Sequence, residues 1–182
     1  NVTGGFVFDY FKDRRNNFFI AGGGAVGIKL FKPTNDLKQF AFTNFTEREG
    51  TSSRFIMRIF QDKCDNHWFG GHRGVGRFKL TNSNKEAAFH FFNDPNFLNL
   101  HVWGIEEDNK GRIWFATEGH GLIIYEPKNC EEIGTFTYFT QEDGLLDNGV
   151  NSIIKDHKNR IWIGTYTGIS LLVPRKQQTI TN

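Results

Sequence analysis

The sequence predicts an all-β fold, a β-propeller built from four repeats of four-stranded antiparallel blades, and three observations carry that prediction. Aspartates recur at Asp13, Asp62, Asp108 and Asp156, separated by 49, 46 and 48 residues. Six positions after each stands a large aromatic, Phe19, Trp68, Trp114 and Trp162, and two further a small residue, Ala21, Gly70, Ala116 and Gly164. A glycine then precedes another apolar run, at Gly27, Gly76, Gly121 and Gly168. Units of this length holding short strands have the arithmetic of propeller blades. No stretch of about 12 residues carries a 3.6-residue apolar stripe, so helices are not expected.

The repeats run about 1–53, 54–100, 101–147 and 148–182. The first supplies "GGFVFDYFKD", "FFIAG", "GIKLF" and "QFAFTNF", and the second "RFIMRIFQD", "HWFGG", "GRFKL" and "AAFHFF". The third supplies "LHVWGIEED", "RIWFAT", "GLIIYEP" and "TFTYFT", and the fourth "NGVNSIIKD", "RIWIGT" and "GISLLVP". After Val173 only "RKQQTITN" is offered as a fourth strand. Three residues past each aspartate stand Asn16, Asp65, Gly111 and Asn159, the residue types that tolerate positive φ in a tight turn between strands. The aspartates can accept backbone N–H groups inside that turn, which makes them structural rather than catalytic.

The same register disposes of a phosphate-binding motif. Gly22, Gly24 and Gly27 satisfy G-x-G-x-x-G, and Glu47 follows at a ribose-binding distance. That motif needs a strand before it and a helix after it. Here the glycines fall between the second and third strands of the first unit, so a strand follows.

Composition narrows the function classes. Formal charge is +2, from 22 basic and 20 acidic residues, and the basic cluster at Arg175 and Lys176 reads as a solvated tail, which argues against a nucleic-acid partner. No apolar run reaches the length of a membrane span, so this chain is expected to make no membrane contact. Cys64 and Cys130 lie far apart in turn-like segments and are expected to be unpaired thiols that leave the redox compartment undecided. The histidines lack ligand spacing, so neither a metal nor a cofactor is expected.

The fourth unit with its approach, "EDGLLDNGVNSIIKDHKNRIWIGTYTGISLL", resembles the repeat of the two-component regulator propellers through Gly144, Leu145, Val150, Ile153, Asp156, Ile161, Trp162, Gly164, Thr165 and Gly168. The third matches nearly as well through Val102, Ile105, Asp108, Gly111, Ile113, Trp114, Thr117 and Gly121. The second keeps Asp62, Trp68, Gly70 and Gly71, and the first has exchanged the tryptophan for Phe19. The resemblance implies a periplasmic or extracellular sensor module of a bacterial inner-membrane hybrid two-component system. Many such regulators sense oligosaccharides and pass the signal to a histidine kinase, which these residues do not contain. It also favours a larger ring, of about seven blades, over a closed ring of four.

In a blade, the loops between second and third strands share one face with the blade-to-blade loops, and here those loops are chemically varied. They carry the candidate ligand-binding residues: Arg54, His72, Arg73, Glu118, His120, Asn148 and Tyr166, with Trp103 on the third inner strand expected near the central channel. Arg73, Glu118, His120 and Tyr166 are expected to converge from three consecutive blades. Such groups suit a sugar, whose hydroxyls take directional hydrogen bonds and whose C–H face stacks on rings. Arg73 and Arg54 would suit an anionic sugar.

The leading reading is a non-enzymatic domain that senses an oligosaccharide or other small ligand, with homodimerisation through the full-length sensor. A protein-interaction scaffold using the same face is the alternative. A propeller lyase or glycan hydrolase is a third, for which Glu118 with Asp147 or Asp94 is the pairing available.

Overall fold

Hairpins linked in sequence order dominate the computed structural model, which describes residues 4–24, 26–32, 41–46, 51, 55–80, 87–92, 94–97 and 100–172. The first blade pairs β1 (Val7–Lys12), β2 (Phe18–Gly22), β3 (Ile28–Lys32) and β4 (Ala41–Phe45) in sequence order. The second pairs β5 (Ile56–Gln61), β6 (His67–Gly71), β7 (Gly74–Leu80) and β8 (Ala87–Phe91). The third pairs β9 (Val102–Glu107), β10 (Ile113–Thr117), β11 (Leu122–Glu126) and β12 (Thr135–Phe139). The fourth pairs β13 (Val150–Lys155), β14 (Ile161–Thr165) and β15 (Gly168–Leu172) among the described residues; the "RKQQTITN" segment lies outside them. Among the described residues all pairings are antiparallel, and only two single-turn 3₁₀ helices, Pro95–Phe97 and Gln141–Asp143, interrupt the strands. The Gly22–Gly27 segment closes a hairpin, Gly22 N–H donating to the Gly27 carbonyl at 3.0 Å, and β3 follows.

Each recurring aspartate organises its hairpin turn. Asp108 Oδ1 accepts the backbone N–H groups of Lys110 and Arg112 at 2.9 and 3.0 Å, while Oδ2 accepts Arg112 Nε at 2.6 Å and Trp114 Nε1 at 3.0 Å. Asp156 repeats this with Lys158, Arg160 and Trp162, and Asp62 with Cys64, Asn66 and Trp68. The turns need a left-handed residue, and Asn16, Asp65, Gly111 and Asn159 supply it with φ between 61° and 81°. Burial pushes the Asp108 carboxyl up, but the indole and guanidinium donors outweigh it and hold the group below the usual range. The Asp156 carboxyl is held well below it, chiefly by Trp162 Nε1.

The first blade shows what the tryptophan does. Phe19 has no N–H to give, and Asp13 Oδ2 instead lies 3.3 Å from Nε2 of His67, which comes from the second blade and is not aligned for a hydrogen bond. The His67 ring packs 4.8 Å from Phe19 and stacks on Phe78 at 4.9 Å. Burial holds His67 below its usual pKa, with Asp13 pulling the other way.

Blades pack face to face through separate apolar cores. Phe19, Ile28 and Leu30 meet Ile59, Phe69 and Phe78 between blades one and two. Trp68 and Val75 meet Val102, Phe115 and Tyr125 between two and three, and Trp114 and Ile124 meet Val150, Ile161 and Ile163 between three and four. A backbone relay adds to this packing: Arg14 N–H donates to Gln61 Oε1 at 2.9 Å, and Lys63 N–H to Glu107 Oε2 at 3.1 Å. The equivalent residue of the fourth blade, Lys155, cannot accept, and instead donates its N–H to Glu106 Oε2 at 3.0 Å and its ammonium to the Glu107 carbonyl.

The cysteines correct the sequence expectation. Cys64, on the second hairpin turn, and Cys130, in the loop between β11 and β12, form a disulfide with Cα atoms 5.3 Å apart. Sixty-six residues separate them in sequence, but blade packing sets the turn of one unit beside the outer loop of the next. The outermost faces differ from the internal ones. Tyr10 on the first blade is 83% exposed and Ile154 and Ile169 on the fourth are 62% and 69% exposed, whereas Trp68 and Trp114 are buried by the blade that follows each.

Candidate functional site

The face opposite the aspartate turns carries a row of side chains placed by the same register. The residue ten positions past each aspartate is Gly23, His72, Glu118 or Tyr166, and seven before it stands Phe6, Phe55, His101 or Gly149. Backbone bonds tie each pair at the end of the first hairpin: Gly23 N–H to Phe6 O, His72 to Phe55, Glu118 to His101 and Tyr166 to Gly149, at 2.7–3.2 Å. One position earlier, the Thr117 and Thr165 hydroxyls each donate at 2.8 Å to the carbonyl of the glycine at the start of the third strand's approach, Gly121 or Gly168, closing the loop. Side chains leaving these positions therefore stand side by side from blade to blade.

They touch in sequence. Phe55 stacks on His72 with centroids 4.9 Å apart, and His72 stacks on His101 of the next blade at 4.2 Å. His101 Nδ1 donates to Glu118 Oε2 at 2.9 Å, and the Tyr166 hydroxyl of the fourth blade reaches Glu118 Oε1 at 3.4 Å. Gly149 makes room for the last contact, since a Cβ there would lie 2.2 Å from the Tyr166 ring. Rings and one carboxylate thus span three blades without a break.

A β-bulge adds to the row. In every inner strand the pairing skips one residue, Phe8, Met57, Trp103 or Asn151, at the end nearest this face. Bulges re-aim a side chain, and on the third blade the re-aimed residue is Trp103, edge-on to His101 with centroids 6.5 Å apart. Its buried Nε1–H has no hydrogen-bond partner among the described residues, yet lies close enough to Glu118 to stabilise that carboxylate.

The electrostatics follow from these contacts. The His101 hydrogen bond, more than any other cause, holds Glu118 below the usual carboxylate range. Partial burial and then the neighbouring His101 push His72 down, with Glu118 opposing. Desolvation and the Glu118 charge push Tyr166 up. At neutral pH the row holds a neutral His72, an ionised Glu118 and a protonated Tyr166.

The structure sorts the predicted residues. His72, Trp103, Glu118 and Tyr166 come together. His120 does not converge with them; its Nδ1 lies 3.1 Å from the Glu118 carbonyl of its own loop, because it sits two positions past the register that points inward. Arg73, one position past that register, is exposed and makes no hydrogen bond or ion pair among the described residues. Asn148 serves the fold, its Oδ1 accepting Gln141 N–H at 2.8 Å at the start of a 3₁₀ turn. Arg54 lies outside the described residues. Asp147 accepts Gly149 N–H at 2.7 Å, and Asp94 accepts Asn96 and, at 3.4 Å, the Tyr138 hydroxyl on an outer strand, so neither is paired with Glu118 by a hydrogen bond. His101, which the sequence places in the varied blade-to-blade loops without singling it out, and Phe55, which it does not offer, complete the row, and counting seven back from each aspartate finds both. Among the described residues no group of three or more histidine, cysteine or acidic side chains is placed to hold a metal ion.

Comparison with known proteins agrees with this architecture. The two component regulator propeller pattern matches residues 96–119 and 144–167. Histidine kinase P4 of Formosa agariphila is 33% identical over 79 residues, covering 42% of this chain and 6% of that protein. Two extracellular domains from B. thetaiotaomicron, each described as part of a hybrid two component system, superpose with TM-scores of 0.69 and 0.67 at 18% and 19% identity. They cover 94% and 97% of this chain, which spans only 22% and 25% of theirs. Two segments of the chain thus match the two component regulator propeller repeat, and the chain shares the fold of those extracellular domains.

Proposed function

We propose that this chain is a ligand-sensing part of a hybrid two-component regulator, on the extracellular or periplasmic side of the membrane, and that the face bearing Glu118 receives an oligosaccharide. The observation that carries the reading is the unbroken row from Phe55 through His72, His101 and Glu118 to Tyr166, drawn from three blades. Flat rings offer a sugar its C–H faces, while a carboxylate, a phenol and the nearby unpaired Arg73 offer directional bonds to its hydroxyls. The disulfide suits an oxidising compartment.

A ligand lying across the row would contact three blades at once. It would favour whichever blade packing holds those groups at its own spacing, and only that differential affinity could bias a signalling partner, a kinase or a second sensor copy outside this chain. The row reads as recognition rather than catalysis, because its single carboxylate is already engaged by His101 and Tyr166. Hydrolysis of a glycosidic bond uses two carboxyl groups flanking it.

The test is a thermal-shift screen against neutral, acidic and sulfated oligosaccharides. A selective rise in melting temperature, lost in Glu118→Gln and in Tyr166→Phe, is the expected outcome. No shift with any sugar, or a shift that both variants retain, would remove this face as a sugar site.

A further inference from the structure

We propose a second binding site on the opposite face: the groove between blades two and three, walled by the Cys64–Cys130 disulfide, takes a small oxyanion. The ligand is a carboxylate, sulfate or phosphate, free or carried on a body the size of a monosaccharide. The groove encloses about 290 Å³. That is close to the lower bound of about 300 Å³ for small-molecule pockets, which sets the ligand's size.

Its charges are unevenly committed. The cations Lys63, Arg77, Lys110 and Lys128 line it against the carboxylates Asp62 and Glu107. Asp62 is saturated by the N–H groups of Cys64, Asn66 and Trp68 described above. Glu107 is spent on Lys63 N–H, and burial drives it towards its neutral form. None of the four cations forms an ion pair with a carboxylate among the described residues, although Arg77 lies over the Trp68 ring at 5.9 Å. Lys63 Nζ rests on the carbonyls of Asp108 and Asn109 at 3.3 and 3.5 Å. Arg77 donates to the Glu131 carbonyl at 3.1 Å and, at 3.5 Å, to the Tyr125 hydroxyl. The side chains of Lys110 and Lys128 make no hydrogen bond or ion pair among the described residues. The nearby carboxylate of Glu131 is taken by Lys79 at 3.0 Å.

Tyr125 supplies a directed donor. It is fully buried, and its hydroxyl accepts Gly134 N–H at 2.7 Å as well as Arg77, but its own proton meets no acceptor among the described residues. A buried O–H at the wall of a cationic groove is matched by an acceptor-only ligand, and an oxyanion is one. The disulfide holds both walls, since Cys64 belongs to the second blade's turn and Cys130 to the loop that carries Lys128.

The experiment titrates the chain with sodium sulfate, sodium phosphate and sodium glucuronate, against sodium chloride at equal ionic strength and against glucose, by calorimetry and thermal shift. We expect saturable binding of at least one oxyanion and none of glucose. We expect at least tenfold weaker binding in Lys110→Ala/Lys128→Ala, whose side chains make no hydrogen bond or ion pair among the described residues, and in the Cys64→Ser/Cys130→Ser form. Glu118→Gln should bind as the parent does, which separates this site from the sugar face. Glucuronate binding without sulfate or phosphate would identify a sugar-borne carboxylate; inorganic binding would identify the free ion. Responses equal to chloride, or an unchanged affinity in the lysine variant, would overturn the proposal.

Discussion

An indole N–H donating to a buried carboxylate is worth more than its contact area, because removing it leaves an acceptor short in a place water cannot easily reach. Trp114→Phe should therefore destabilise the chain by about 1–3 kcal/mol. Trp162→Phe, at a half-exposed copy of the same site, should cost distinctly less in the same urea denaturation series; equal losses would contradict the burial argument. His67 makes the opposite point. Its folded-state pKa lies below the unfolded value of about 6.5, so the unfolded chain binds the proton more readily. Stability should fall as pH drops below about 6.5, until the folded-state value is passed. His67→Gln should flatten that slope in urea midpoints measured between neutral and mildly acid pH. The Asp156 carboxyl adds a separate loss at lower pH: its folded value is depressed, so its contribution is present above the unfolded value and is lost as the pH falls from there towards the folded one.

At the scale of the element, each hairpin is held at one end by the aspartate turn and bears at the other the face proposed to recognise ligand. Both halves were legible to different depths. The turn was readable because it needs particular residue types at fixed offsets, and Asn16, Asp65, Gly111 and Asn159 all adopt the conformation their chemistry forecast. The varied end was readable only as a neighbourhood. Arg73 and His120 were expected to converge with Glu118 and Tyr166 because they hold similar places in consecutive blades. Yet they sit one and two positions past the shared register, and neither joins the side-chain contacts of the row among the described residues. His101 enters through ring and hydrogen-bond contacts that no composition reveals. The disulfide was hidden for a different reason: sixty-six residues of separation mean nothing until blade packing sets a turn against a loop. Closing a loop that long removes about 4 kcal/mol of unfolded-chain entropy. Reduction should lower the urea midpoint accordingly, and a midpoint indifferent to reductant would show that blade packing alone supplies the stability there.

For the whole molecule, stability accumulates from neighbour to neighbour, as in other repeat proteins. The middle blades are covered on both sides and the first and fourth on one. Hydrogen exchange should therefore be slowest in β6 and β10 and fastest in β1 and β15; uniform protection would mean a single cooperative unit instead. The repeated register on the face proposed for recognition has a further consequence for how such a protein can change. Each blade contributes one position on this face whose backbone is already secured, occupied here by glycine, histidine, glutamate and tyrosine in turn. Those positions work like interchangeable settings on a fixed dial. A lineage could retune what it recognises one substitution at a time, while the folding instructions stay untouched on the far side of the same hairpins.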